Sequence, residues 1–246
     1  MAELDPSESI GRTLYSEIKH LMLRALSEGE WKAGDVIPSE RRLCDRFGVS
    51  IGTLRKAVDE LVAENILIRH QGRGTFVATH NREQQFFRFF NIVRHNGHKT
   101  YPDLYLLGFS KRPAGKMAGE KLQIASTAEV FRFVNVLSLQ GEPTVVDEIT
   151  VPETLFPGLT ECELRERSNT LYHLYQVTYG LNVIRTEERL RAGLATEPQA
   201  ALLNVAPGAP LLHIYRVAFT YNDLPVEWRV SYINTQNYEY FSTNGQ

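Results

Sequence analysis

The segment from Pro38 to Val77, PSERRLCDRFGVSIGTLRKAVDELVAENILIRHQGRGTFV, constrains the fold more than any other part of the chain. It reads as a short helix, a tight turn, a second helix and a two-stranded wing. Ser39 stands before Glu40, Arg41 and Arg42, where its hydroxyl can accept a hydrogen bond from an unpaired backbone N–H and cap a helix running to about Phe47. Gly48 closes that helix, because a residue without Cβ takes the left-handed conformation cheaply. Ser50 caps the next one. There Leu54, Ala57, Val58 and Leu61 recur at helical spacing as one apolar stripe, and Gly52, Arg55, Lys56 and Asp59 face the other way.

That outer face is open to a ligand. Ser50, Gly52 and Thr53 are small enough to allow close approach to a groove, and a helix N-terminus attracts phosphate. Ile51 beside them can pack on a thymine methyl. After Asn65 the chain alternates through Ile66, Leu67, Ile68 and Arg69, turns at Gln71, Gly72, Arg73 and Gly74, and returns through Thr75, Phe76 and Val77. Between Arg41 and Arg73 seven Lys or Arg stand against four Asp or Glu, so this stretch is positive although the whole chain carries −2. A small helical domain with a solvated basic face would share the helices. The glycine-rich basic tip QGRGTFV favours instead a reader of double-stranded DNA, with the second helix docked in the major groove.

These residues resemble the GntR family of bacterial winged-helix regulators, over PSERRLCDRFGVSIGTLRKAVDEL and RHQGRGTFV. The resemblance implies that Arg41 and Arg55 contact phosphates or bases, that Ser50 and Thr53 contact backbone, and that Gln71, Gly72 and Arg73 enter the minor groove. Ser39, Ile51, Gly52 and Lys56 complete the expected DNA-contacting set. Many members have Arg where this chain has Ile51, and often a hydroxyl residue at Gly52, so the operator is expected to depart from the family's usual sequence.

Ahead of the motif, Leu14, Ile18, Leu21, Met22, Ala25 and Leu26 are spaced for an amphipathic helix that completes a three-helix core. Behind it the period is lost between Ala78 and about Gly97, where a polar run precedes Phe86, Phe87, Phe89 and Phe90; this reads as a joint. Domains are thus expected at 1–78 and 97–246, with 79–96 as linker. Cys44 and Cys162 match no metal spacing, and Cys44 reads as a small buried thiol. His95 and His98 lack a third ligand nearby and read as loop residues, so neither a metal nor a cofactor is expected. Met1 is followed by AELDPSES rather than an apolar run, and no segment reaches the roughly 20 apolar residues that span a bilayer. A cytoplasmic protein without membrane partners is the expectation.

The last two thirds contain a weak internal echo. Val130–Val151 and Leu211–Ile233 each read strand, turn, strand, with turns at Gly141 and at Asn222-Asp223. Between them Leu164, Leu171, Leu174 and Tyr175 suggest a helix after Ser168, and Glu197 to Leu203 a shorter one. Strands and helices segregate, which favours α+β with an antiparallel sheet.

This part resembles, more loosely, the UTRA effector domain found in the histidine-utilisation-repressor-like branch of GntR regulators, a fold similar to chorismate lyase. The matching residues are LFPGL at Leu155–Leu159, TLYHL at Thr170–Leu174, APGAPLL at Ala206–Leu212 and LPVEW at Leu224–Trp228. The resemblance implies a homodimer and a small-molecule pocket built from Arg132, Glu148, Thr170, Tyr172, Arg216 and Glu227, with Tyr101, Tyr172 and Trp228 as apolar walls. Where members that respond to sugar phosphates carry further arginines and a tyrosine, this chain has Asn135, Leu137 and Ile233. An unphosphorylated or singly anionic metabolite is therefore expected. Two other classes compete: an enzyme acting on a small aromatic acid, and a DNA-packaging protein without an effector. The first lacks a nucleophile beside a base, a glycine-rich cofactor loop and a metal constellation. The second would leave the long C-terminal part without a role.

Overall fold

The computed structural model describes residues 13–79, 89–168 and 170–242. The chain divides into two compact units, Met1–Thr79 and His80–Gln246.

The first unit holds α1 (Leu14–Ser27), α2 (Glu40–Phe47), α3 (Ile51–Ala63), β1 (Leu67–His70) and β2 (Gly74–Val77). Ser39 accepts a 3.4 Å hydrogen bond from the Arg42 N–H, and Gly48, at φ 66°, ends α2 by donating to the Cys44 carbonyl. Two residues later Ser50 Oγ accepts from the Thr53 N–H at 3.2 Å and starts α3. The stripe Leu54, Ala57, Val58 and Leu61 is buried against Ile18, Met22, Ala25 and Leu26 of α1. Leu54 and Leu61 are fully enclosed, and burying such a side chain stabilises by about 1.5–3 kcal/mol. Leu14, expected on that stripe, is exposed in the first turn of α1, and Cys44 is only half-buried. The wing pairs Leu67 with Val77 through His70 with Gly74 in antiparallel register.

In the second unit a six-stranded antiparallel sheet has the order β4-β5-β6-β9-β8-β7. Its strands are β4 (Asp103–Pro113), β5 (Glu129–Leu139), β6 (Glu142–Pro152), β7 (Arg185–Leu194), β8 (Pro210–Phe219) and β9 (Pro225–Asn234). The two expected hairpins are β5–β6 and β8–β9, and the β6–β9 pair joins them. Gln140 and Gly141 turn the first at positive φ, as Asn222 and Asp223 do the second. Helices α5 (Glu161–Glu166) and α6 (Leu171–Tyr179) cover one sheet face, where Phe156, Leu164, Tyr172 and Tyr175 pack on Phe131, Phe133, Ile149 and Val226. The other face carries α4 (Gly115–Leu122), packed on Trp228 and Val230, and α7 (Glu197–Leu203), packed on Val146.

The linker expected at 79–96 ends earlier than its last residue. Phe89 and Ile92 are buried in the second unit, and β3 (Ile92–Arg94) pairs with β10 (Tyr238–Tyr240). Sequence period could not reveal this, because a three-residue strand is too short to display alternation. Phe86 and Phe87 lie outside the described residues.

Candidate functional site

The residues expected to bind DNA and effector fall on two surfaces, one in each unit. In the first unit Ser39, Arg41, Ser50, Gly52, Arg55, Lys56, Gln71, Gly72 and Arg73 are exposed, as is Ile51 at 49 %; Thr53 is half-buried. The Ser50 and Thr53 hydroxyls lie 2.9 Å apart at the start of α3, where Ser50 also caps the Thr53 N–H. Arg55 Nε donates to Glu40 Oε2 at 2.9 Å, so α2 orients the guanidinium. Lys56 sits 3.8 Å above the Tyr15 ring of α1. That placement draws Lys56 toward the helix pair, an arrangement helical spacing alone does not reveal. At the wing tip the Arg73 N–H donates to the His70 carbonyl at 3.0 Å. Gly72 takes φ 71° and Gly74 φ 113°, a conformation L side chains rarely adopt. An ion pair between Arg69 and Asp59 fastens the wing to α3.

The second unit holds an open-sided cavity of about 360 Å³. Its floor is the sheet face under α5 and α6, and strand alternation decides which residues reach it. In register across the sheet run Asn135, Asp147, Ser231 and Ile214. The neighbouring row holds Phe133, Ile149, Arg229, Arg216 and Glu188. This polar band separates two apolar clusters, one around Phe133 and Tyr175 and one around Leu137 and Ile233.

Of the sequence-predicted pocket residues, Tyr101, Thr170, Tyr172 and Arg216 line the cavity. Glu227 lies beneath it, fully buried. Its carboxylate accepts from the Tyr172 hydroxyl at 3.1 Å, the Tyr175 hydroxyl at 2.8 Å, and Arg229 Nε and Nη2 at 2.9 and 3.0 Å. Arg132, Glu148 and Trp228 lie on the opposite sheet face. Their strand neighbours Phe133, Asp147, Glu227 and Arg229 point to the cavity side, so the two-residue period turns these three away. On that face the Arg132 guanidinium stands 5.9 Å over the Trp228 ring. Burial, with Arg112 nearby, holds its pKa below the usual arginine value. Trp228 therefore packs under α4 rather than walling the cavity.

Several cavity groups escaped the sequence reading: Asp147, Arg167, Arg229, Ser231, Tyr240 and the segment Phe89–Ile92. Alternation from Glu227 would have found Arg229 and Ser231; nothing in the sequence marks Arg167, which sits in the loop after α5. Arg229 Nη1 donates to Asp147 at 3.1 Å, and the Ser231 hydroxyl donates to the same carboxylate at 2.5 Å. Burial opposes the Arg229 charge, yet Glu227 and Asp147 outweigh it and hold its pKa well above the ordinary value. Arg216 Nε donates to Glu188 at 2.6 Å, and its Nη2 donates to the Phe89 carbonyl at 2.6 Å. Tyr240 donates its hydroxyl to Glu188 from the other side. Burial, then Glu227, pushes the Tyr172 and Tyr175 phenols up, so both stay protonated as donors.

Two buried polar atoms of the cavity have no hydrogen-bond partner among the described residues: Asn135 Oδ1 and Arg167 Nη2. Arg167 Nη1 donates to the Leu164 carbonyl, and burial lowers its pKa. Thr170, beside it, caps α6 by accepting from the His173 N–H at 3.3 Å. Among the described residues no group of three His, Cys, Asp or Glu is gathered as a metal would require, and no helix is long and apolar enough to cross a membrane.

Residues 14–77 match the bacterial regulatory proteins of the gntR family, and residues 100–239 match the UTRA domain. The chain is 32% identical over 213 residues to the probable fructoselysine utilization operon transcriptional repressor of Escherichia coli K12, covering 87% of each. It is 27% identical over 206 residues to the histidine utilization repressor of Pseudomonas putida, covering 82% of this chain and 81% of that one. A solved ligand-binding domain of a putative GntR-family regulator from Bordetella bronchiseptica superposes with a TM-score of 0.60 at 31% identity, over 63% of this chain and 97% of that domain. With a winged helix whose α3 face is exposed and a second unit whose cavity is crossed by charged residues, the chain belongs to the GntR family of bacterial transcriptional regulators, in the branch that carries a UTRA domain.

Proposed function

We propose that this protein is a cytoplasmic, homodimeric repressor whose affinity for operator DNA falls when an unphosphorylated or singly anionic metabolite occupies the UTRA cavity. The observation that carries this reading is the charge balance of the cavity. Arg165, Arg167, Arg216 and Arg229 stand against Asp103 and Asp147 in the lining and Glu188 and Glu227 behind it, four charges of each sign. A dianionic phosphate would add uncompensated negative charge beside Asp147 in a low-dielectric site, where like charges repel strongly. A neutral or singly charged ligand avoids that cost.

The Arg216 bond to the Phe89 carbonyl supplies a route from ligand to DNA. Phe89 is the first described residue of the second unit, and the chain between it and Thr79 leads from the winged helix. An effector that draws on Arg216 changes how this segment is held, and so biases the arrangements open to the DNA-reading unit. The relatives named for fructoselysine and histidine utilisation make amino-acid derivatives the first compounds to try.

The test is a melting-temperature screen of the full chain, followed by fluorescence anisotropy on DNA from upstream of its own gene. A ligand that binds the folded state raises the melting temperature. The expected result is a hit that also weakens DNA binding. Uniform binding to any DNA with no ligand response would overturn the reading.

A further inference from the structure

The cavity holds two subsites of opposite demand. On the floor, Asn135 is 98% buried yet its Oδ1 acceptor has no partner among the described residues, and it stands directly across the β5–β6 pair from Asp147. A carboxylate and an unused amide oxygen, opposite each other on paired strands, lie close enough to share one donor. A buried acceptor left unmade is costly, so a ligand that supplies a hydrogen to Asn135 recovers that cost, and the Asp147 carboxylate, which also takes Arg229 and Ser231, adds its charge. Across the cavity, Arg167 has no ion-pair partner among the described residues, and its Nη2 is buried without an acceptor. Arg216 and Arg229, by contrast, already lie against carboxylates.

We propose that the effector is a zwitterion, its ammonium held by Asn135 and Asp147 and its single carboxylate by Arg167 beside the Thr170-capped start of α6. This rests on the effector reading above and narrows it to amino-acid chemistry. Arg229 touches Asp147 and lies near enough to Arg167 to disfavour its charge. Both subsites open onto the same cavity, and Arg229 stands beside the first of them. Leu104, Leu137, Val145, Ile214 and Ile233 leave an apolar remainder for a side chain.

The experiment is calorimetric titration of the full chain with the common L-amino acids and amino acids bearing a sugar on nitrogen. Each binder is then compared with its N-acetyl and methyl-ester forms; glucose and glucose 6-phosphate serve as comparators. The expected result is a binder that loses at least tenfold in affinity on acetylation and again on esterification. The variant Arg167→Met should bind the acid and its ester alike. Because the ligand-side changes need no variant, a misfolded Arg167→Met does not blunt the test. Binding of glucose with no zwitterion binding would overturn the zwitterion and leave the effector reading standing, whereas binding of glucose 6-phosphate would overturn both. Binding of nothing in the set, with specific DNA binding intact, would overturn the zwitterion.

Discussion

Glu227 anchors the cavity floor, and removing its charge tests the buried network. In Glu227→Gln the side chain keeps its shape but offers one acceptor where two tyrosine hydroxyls and two nitrogens of Arg229 now converge on two. The Arg229 guanidinium stays buried with Asp147 as its remaining carboxylate. Breaking a buried ion pair from one side costs about 3–5 kcal/mol, and the retained amide oxygen places this change near the lower end, at about 3 kcal/mol. A domain of this size loses about 2–4 °C per kcal/mol, so the second unit should melt about 6–12 °C lower. The chain has two tryptophans, Trp31 in the first unit and Trp228 in the second. A Trp31→Phe background therefore makes indole fluorescence report the second unit during urea or thermal unfolding. A cost below about 1 kcal/mol would refute the reasoning, because a surface pair gives that much.

Other substitutions separate stability from function. Asn135→Leu replaces a buried, unpartnered acceptor by an apolar side chain of similar size; it should leave the melting temperature unchanged or raise it while abolishing effector response, as read by melting scans and anisotropy. Arg55→Ala should cost about 1–3 kcal/mol of operator affinity, whereas Arg73→Ala should lower affinity more evenly across sequences and reduce the salt slope by about one. Titrating both variants against operator and scrambled DNA at several salt concentrations checks this. Ser50→Ala removes the α3 cap and should destabilise the first unit by about 1 kcal/mol in urea unfolding.

The winged helix was legible because its signals are local. Ser39, Gly48 and Ser50 each fix a helix end through their own side chain or φ, and the Leu54 to Leu61 stripe shows its period within a dozen residues. The hairpins were legible for the same reason, through Gly141 and Asn222-Asp223. The cavity was less so, because its residues meet through pairing far apart in sequence: Asn135, Asp147 and Ser231 share a row only once β5, β6 and β9 are in register. Resemblance pointed to strands that border the cavity, but a one-residue difference along a strand reverses the face. Arg132 and Trp228 thereby fall behind the sheet, while Asn135, noted in the sequence as a departure from the family pattern, lies on the floor. Arg167 sits in a loop with no period to mark it.

Operator affinity of the full chain, with and without the ligand found by the melting screen, decides whether the cavity controls DNA binding. It is measured in parallel on wild type and on Ile214→Trp, which fills the cavity from its floor. Coupling between sites of this kind is typically 5–150-fold. Wild-type affinity should fall within that range on adding ligand, and the variant should still bind operator without responding. A ligand that weakens operator binding equally in both proteins would contradict this, since the effector would then act from somewhere other than the cavity.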